Sequence, residues 1–279
     1  MDYQITKWGI SAYVKSLQED DRAPGTIAKY RRDVHSLARF LGGENVTAEG
    51  LVAYKQRLLE KGYAPRSINA MLAACNGYFR FAGWQIKAKF LKVQRQLFRA
   101  PEREMSRAEY DRLLAAANSH GQARLALLME TMGATGIRVS EVENITVEAA
   151  KKGRATIHLK GKVRTILLPG KLCRKLLAYA KRLGLTSGAI FRTKHGRALS
   201  RRQIWYEMKR VARLAGVAPG KVFPHNLRRV FAVVFYRACK DIARLADVLG
   251  HSSMETTRIY LAVSGEEQKR QLDRLGLVS

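Results

Sequence analysis

Few cysteines, few acidic side chains and no long apolar run characterise this sequence of 279 residues. Its three cysteines, Cys75, Cys173 and Cys239, lie far apart and include no C-x-x-C pair. This spacing argues against a disulfide framework and a zinc site, and it favours a reducing compartment. Because no 18-residue apolar run and no signal-peptide pattern is found, we expect a soluble protein of the cytoplasm that does not enter a membrane.

The second shortage is of negative charge. The sequence has 23 Asp and Glu against 51 Lys and Arg, which gives a formal net charge of +28 at pH 7. An excess of this size is typical of proteins that bind nucleic acid, because each neutralised phosphate releases counterions. A cationic surface that serves only solubility is the alternative, but solubility favours acidic residues over basic ones.

Nucleotide-binding and metal-binding patterns are missing as well. The sequence has no G-x-x-x-x-G-K-[ST] loop for a nucleoside triphosphate. Its few carboxylates offer no plausible two-metal site. We therefore expect neither a metal nor another cofactor.

The first part of the chain shows helical patterns separated by proline and glycine. Apolar residues recur at helical spacing, Pro24 and Pro65 stand at helix starts, and Thr47 can cap a third helix. The predicted helices cover about 5–18, 24–41, 47–62 and 65–82, with a shorter basic helix at 86–97. We predict a helical domain at 1–98 with a cationic surface, followed by a polar linker at 99–105.

The remaining residues, 106–279, are predicted to form a second domain that is mainly α with a small β-sheet. A capping-box pattern at Ser106 opens it. Two β-rich runs, Arg154–Leu159 and Arg164–Leu168, flank a basic turn and predict a hairpin. Helices are expected at about 106–117, 121–134, 170–183, 200–215, 225–240, 241–249 and 254–261, with an amphipathic segment at 265–275.

The first candidate site motif is T-G-I-R-V-S-E, which places Arg138 directly after a glycine turn. A guanidinium held there can be aimed at a phosphate. An ion pair between Arg138 and Glu141 at the surface is the simpler interpretation of this motif alone.

The second motif is P-H-N-L-R, in which His225 and Arg228 lie at i and i+3 on one helix face. The apolar residues that follow predict a buried helix, so these polar side chains need a partner or a function. A single histidine before an arginine is nevertheless more often structural.

Two further motifs complete the set. Leu249-Gly250-His251 stands shortly before Tyr260, with hydroxyl side chains between them. Tyr260 alone would be interpreted as a core tyrosine and His251 as a helix-capping residue. Lys160 begins the basic hairpin turn, which alone would be interpreted as a solvated loop.

Taken together and in this order, the motifs closely resemble those of the tyrosine recombinase (integrase) family. The pattern is T-G-x-R-x-S-E, a K-G hairpin, H-x-x-R and then L-G-H-x8-Y. The nearest likeness is to short Xer-like and phage-integrase-like members. The resemblance implies a helical, SAM-like core-binding domain joined to an α/β catalytic domain, which clamp DNA from opposite sides.

The resemblance also implies roles for the motif residues. Arg138 and Arg228 would hold the scissile phosphate, and Glu141 would support the arginine. Tyr260 would attack the phosphorus and form a 3′-phosphotyrosyl bond.

Proton transfer would fall to the remaining residues of the pattern. Lys160 would protonate the leaving 5′-oxygen, His225 would act in acid/base transfer, and His251 would donate a hydrogen bond to the phosphate. The hairpin is one residue shorter than usual in the family, so Lys162 is the alternative lysine, although Lys160 precedes glycine as the catalytic lysine does. Arg229 stands where relatives often have histidine.

The expected function is site-specific recombination by a tetramer on two double-stranded DNA sites, formed from monomers, with a directionality factor as an optional partner. A type IB topoisomerase and a DNA-binding protein without catalysis are the alternatives. The apolar residues Leu272, Leu275 and Leu277 predict a C-terminal helix that docks on a neighbouring protomer or folds back on its own domain.

Overall fold

The computed structural model describes residues 3–93, 104–159, 162–251, 253–261, 269–270 and 273–275. Within these ranges the protein is mostly helical with one two-stranded sheet, as predicted. The chain divides into two compact units, Met1–Arg95 and Gln96–Ser279. Among the described residues, no helix is both long enough and apolar enough to cross a membrane.

The first unit contains four helices. Its elements are α1 (Lys7–Glu19), α2 (Pro24–Leu41), α3 (Ala48–Glu60) and α4 (Pro65–Phe81). Thr6 and Thr47 cap α1 and α3, since each side chain accepts a bond from the backbone N–H of the third helical residue. Pro24 and Pro65 begin α2 and α4, where their missing N–H leaves no bond unmade. The side chains buried between these helices include Leu37, Tyr54, Ile68, Leu72 and Phe79.

The helix predicted at 86–97 is wrong for its described part, because residues 86–93 are extended. The side-chain amide of Asn76 on α4 accepts from the backbone N–H of Ala88 at 2.8 Å and donates to the Ala88 carbonyl at 3.0 Å. Asn69, two turns earlier, makes the same pair of bonds with Leu91. These amides satisfy backbone groups that a helix would satisfy internally. Residues 94–97 lie outside the described residues.

The second unit places a hairpin among eight helices and two short 3₁₀ helices in its described part. Its elements are α5 (Arg107–Ser119), α6 (Ala123–Thr135), a 3₁₀ helix (Val139–Asn144), α7 (Val147–Lys152), β1 (Arg154–Leu159), β2 (Lys162–Leu167), α8 (Gly170–Arg182), α9 (Arg201–Leu214), a 3₁₀ helix (Pro219–Lys221), α10 (Pro224–Cys239), α11 (Ile242–Leu249) and α12 (Met254–Leu261).

The short helices before the hairpin were missed, because neither has room for a full apolar period. The predicted linker falls largely outside the described residues, but Met105 packs in the core of this unit.

The two strands pair antiparallel, with Ile157 opposite Arg164. Strand β2 begins two residues earlier than predicted, and the hairpin turn at 160–161 lies outside the described residues. Side chains alternate between the two faces of the sheet. Ile157 and Ile166 are buried against the core, whereas Val163 and Leu167 are exposed. Arg164 therefore stands on the inward face of β2, among apolar positions.

Helix α10 forms the structural centre of the site region, because it packs against α6, α11 and α12. Its buried residues include Leu227, Arg228 and Val230, as its apolar sequence predicted. Tyr260 on α12 packs with Ala232 of α10 in a small separate cluster. This packing brings four distant sequence segments to one place. The predicted segment at 265–275 lies mostly outside the described residues.

We predict that Asn76→Ala lowers the free energy of unfolding by about 2 kcal/mol, because it leaves both backbone groups of the buried Ala88 without partners. Urea unfolding gives the free energy, and hydrogen exchange at the Ala88 amide reports local opening. Asn69→Ala is the matched control. Asn69 is only half-buried, so water can replace its bonds and the loss should be smaller. Equal losses, or unchanged Ala88 protection, would contradict this account of the extended segment.

Candidate active site

A glycine turn places Arg138. Gly136 ends α6 in the left-handed conformation, with φ of 63°, and a Cβ there would lie 2.5 Å from the Phe231 ring. The position therefore requires glycine for both conformation and space. The chain then enters the 3₁₀ helix, whose Glu141 carboxylate accepts from the Arg138 backbone N–H and from its Nη1, each at 2.9 Å.

Glu141 is only 1% exposed, so the ion pair with Arg138 lies at the edge of the interior and not at the open surface. The Arg138 side chain retains 37% of its exposure. Its Nη2 also donates to the Gly250 carbonyl at 3.2 Å. The guanidinium is thus fixed from behind while part of it faces solvent. Such a geometry suits a group that grips an external anion.

Arg228 is the most deeply buried cation of the site, at 2% exposure. Pro224 begins α10 and orients its first turn, from which Arg228 donates to the carbonyls of Gly136 and Leu249. Burial lowers the pKa of Arg228 to about 10, and the positive charge of Arg138 acts in the same direction. Tyr260 opposes this shift through its charge and through a side-chain hydrogen bond.

A third arginine, Arg164, completes the cationic cluster and was not predicted as a site residue. Its Nη2 donates to Glu141 at 2.8 Å, and its Nη1 donates to the Leu249 carbonyl. Burial lowers its pKa, although the Glu141 charge acts against the shift. The signal available in the sequence was a charged residue at an inward position of β2. Three guanidinium groups thus surround one carboxylate, which leaves an excess of positive charge.

His251 lies against this cluster. Its Nε2 is 3.0 Å from Arg228 Nη2, and its Nδ1 is 2.8 Å from Thr257 Oγ1. A guanidinium nitrogen only donates, so Nε2 accepts and the proton of the neutral ring sits on Nδ1. Burial, followed by the charges of Arg228 and Arg138, lowers the pKa of His251 to about 4. Thr257, fully buried, was not predicted and fixes this orientation.

Tyr260 is sandwiched between the two histidines and is 5% exposed. Its ring centroid lies 5.2 Å from that of His225 and 5.5 Å from that of His251, the latter stacked at 6°. The phenol therefore stands within reach of Arg228 on one side and between two imidazoles. It is held as firmly as a core tyrosine, yet its polar neighbours are those of a reactive site.

The structure brings together six of the seven predicted site residues: Arg138, Glu141, His225, Arg228, His251 and Tyr260. Lys160 lies outside the described residues, as does the side chain of its alternative, Lys162. Arg229, at the position that departs from the resembled pattern, pairs instead with Glu104.

The arrangement can bind a tetrahedral anion beside an aromatic hydroxyl. The guanidinium groups supply positive charge in a place largely shielded from water, where electrostatic attraction is strong. Within the described ranges, no three His, Cys, Asp or Glu side chains are grouped so as to hold a metal ion.

Two family models match the sequence. The phage integrase family model matches residues 103–267, which is more than half of the chain. The model of the phage integrase N-terminal SAM-like domain matches residues 10–85. The second match covers most of the first unit's helices, and the first includes every residue of the cluster described above.

Individual proteins give the same picture. Tyrosine recombinase XerA of Pyrococcus furiosus is 30% identical over 277 residues, covering 96% of this chain and 94% of the relative. Tyrosine recombinase XerD of Vibrio cholerae is 27% identical over 275 residues, covering 89% of each chain. A crystal structure of a lambda integrase tetramer bound to a Holliday junction shares the fold, with a TM-score of 0.72, 18% identity, and coverage of 93% of this chain and 77% of that one.

We predict that His251 titrates near pH 4 in the folded protein, because charging it beside Arg228 and Arg138 is unfavourable. An unfolded histidine titrates near ~6.5. The unfolded chain therefore binds more protons between these values, and the stability that neutral His251 contributes is lost as pH falls from about 6.5 through about 4. NMR titration of the ring signal, assigned with His251→Gln, measures the midpoint. A midpoint of ~6 or higher, close to the unfolded value, would contradict this environment.

Proposed function

The chain belongs to the phage integrase family and is a tyrosine-type site-specific recombinase; from that membership we propose that it cleaves and rejoins double-stranded DNA through a 3′-phosphotyrosyl intermediate. The observation that carries the proposal is the Tyr260 phenol, hydrogen-bonded to Arg228 and placed between His225 and His251. The excess of basic residues supports a DNA substrate, because phosphate contacts dominate its binding.

Arg138 and Arg228 hold the scissile phosphate by its non-bridging oxygens. The partly exposed guanidinium of Arg138 supports this role, since Glu141 fixes it while one side remains open. In the transition state, negative charge builds on those oxygens, and fixed guanidinium groups stabilise it without reorganisation. Both arginines are already oriented before DNA binds, so little of the binding energy is spent on ordering them.

Tyr260 then attacks the phosphorus, the bond to the 5′-oxygen breaks, and a free 5′-hydroxyl leaves. A phenol with a pKa near ~10 is a weak nucleophile at neutral pH and needs help to lose its proton. His225 lies beside the ring and receives that proton. Lys160, at the hairpin turn, protonates the leaving 5′-oxygen.

His251 donates a hydrogen bond to the phosphate in this scheme. In the free protein its proton sits on Nδ1 and points to Thr257, while Nε2 faces Arg228. Donation to phosphate from Nε2 therefore requires a second proton or a change of tautomer when DNA binds. The negative charge of a bound phosphate favours that protonation, because it offsets the arginines that lower the pKa of His251.

Neither a metal ion nor ATP enters this mechanism. The arginines supply the positive charge that a metal would otherwise provide. The phosphotyrosyl ester retains the energy of the broken phosphodiester, so a 5′-hydroxyl can reverse the step and reseal DNA. The enzyme acts as a tetramer on two DNA sites, in line with the lambda integrase tetramer whose fold it shares, and is a monomer before assembly.

We predict that Tyr260→Phe abolishes the covalent protein–DNA complex and leaves the Kd for DNA within about threefold, because only the nucleophilic oxygen is removed and the ring still packs. The variant first selects a binding site from a randomised duplex pool. A nicked suicide substrate with that site then traps any adduct on a denaturing gel. Tyr236→Phe, on a partly buried tyrosine of the same cluster, is the control and should form adduct normally. Adduct formation by Tyr260→Phe at the wild-type yield would end the assignment.

We predict that Arg228→Ala lowers the single-turnover cleavage rate at saturating DNA by at least ~100-fold, because transition-state charge loses a buried donor. Arg237→Ala tests general loss of positive charge on the same helix, since Arg237 is exposed in the last turn of α10. It should weaken binding at most and leave the saturated rate unchanged. Thermal unfolding of both variants shows whether they are folded. A folded Arg228→Ala protein that cleaves normally would remove Arg228 from the mechanism.

A further inference from the structure

Arg164 occupies an unusual place for a charged side chain. It stands on the inward face of β2 at a position flanked by the exposed Val163 and Thr165. Its side chain is 15% exposed. Its Nε is buried without a hydrogen-bond partner among the described residues, a cost that proteins accept at few positions. Something other than solubility therefore accounts for an arginine here.

Its two terminal nitrogens reach one acceptor of each phosphate-gripping arginine. Nη2 donates to Glu141, the carboxylate that also holds Arg138. Nη1 donates to the Leu249 carbonyl, which also accepts from Arg228. Arg164 thus connects the hairpin to both halves of the cationic cluster. Lysine has one ammonium group in place of the planar fork and would not span both acceptors in this geometry.

The glycine of the L-G-H motif is explained by the same side chain. Gly250 ends α11 with φ of 62°, and a Cβ at this position would lie 2.3 Å from Arg164 Cδ. The guanidinium is held at its far end by Glu141 and Leu249, so the Arg164 chain is not free to move aside. Gly250 also accepts from Arg138 and directly precedes His251. Arg164 therefore lies across the backbone that carries His251.

We propose that Arg164 is a positioning residue that fixes Arg138, Arg228 and the Gly250–His251 turn relative to one another, and that Gly250 is glycine because Arg164 fills the space above it. Arg164 does not touch the phosphate in this proposal, because its terminal nitrogens are committed to Glu141 and Leu249. The inference rests on the proposed function only insofar as the positioned groups act in strand cleavage.

The first test compares Arg164→Lys and Arg164→Ala with the wild type in single-turnover cleavage at saturating DNA and in DNA binding. A displacement of about 1 Å in a catalytic group can cost ~100-fold in rate, and we expect a loss of that order for both variants with Kd within about threefold. The lysine variant keeps the charge, so it separates positioning from electrostatics. Wild-type cleavage by Arg164→Lys would overturn the proposal.

Arg154→Ala is the matched control for the first test. Arg154 lies on the neighbouring strand of the same hairpin, but it is exposed on the outward side. A lost contact with DNA there weakens binding and leaves the saturated rate unchanged. If Arg154→Ala slowed cleavage as much as Arg164→Lys, the specific role of Arg164 would be refuted.

The second test is a double-mutant cycle of Gly250→Ala and Arg164→Ala, read both as cleavage rate and as the urea midpoint of unfolding. Gly250→Ala should cost more in the wild type than in the Arg164→Ala background, where the clashing side chain is gone. Gly153→Ala is the control, because Gly153 also ends a helix at φ of 67° but a Cβ added there would meet no atom within 4 Å. It measures backbone strain alone and should leave cleavage unchanged.

The outcomes separate the two proposals. A wild-type protein that forms no adduct with Tyr260 refutes the proposed function, and the unfolding cycle still decides whether Arg164 and Gly250 are coupled. A wild type that forms the adduct, combined with an additive cycle, refutes the role of Arg164 and leaves the function standing.

Discussion

One buried carboxylate organises the site. Glu141, at 1% exposure, accepts from Arg138 twice and from Arg164 once, so a single side chain on a short 3₁₀ helix orients two cations from different segments. Removing one partner from a buried ion pair is far more costly than the pair is stabilising, since it leaves a charge unpaired. The geometry is therefore fixed before substrate arrives, and the phosphate enters a site that is already assembled.

One carboxylate does not balance three guanidinium groups, and helix ends contribute the rest. The carbonyls of Gly136 at the end of α6, and of Leu249 and Gly250 at the end of α11, all accept from these arginines. Carbonyls at a helix C-terminus carry partial negative charge that stabilises nearby cations. Partial charges hold the arginines without neutralising them, so attraction for a phosphate remains. The same positive field keeps His251 neutral until an anion binds.

The sequence carried the identity of the site well and its support poorly. Motif order predicted Arg138, His225, Arg228, His251 and Tyr260, and helical periodicity predicted most of α1 to α12, because both signals are local. Arg164 and Thr257 were missed because their roles depend on contacts between segments far apart in sequence. The extended segment after α4 was misassigned for the same reason: two asparagines, not its own periodicity, decide its conformation.

The central claim is that the Tyr260 oxygen attacks a phosphate held by the arginine cluster, and the identity of the modified residue tests it most directly. Trypsin cuts after Arg258, so digestion of the trapped protein–DNA complex releases a short peptide that contains Tyr260. After nuclease treatment, tandem mass spectrometry locates the nucleotide that remains attached. The account predicts a 3′-linked nucleotide on Tyr260. A nucleotide on another residue, or a 5′-linkage, would contradict it.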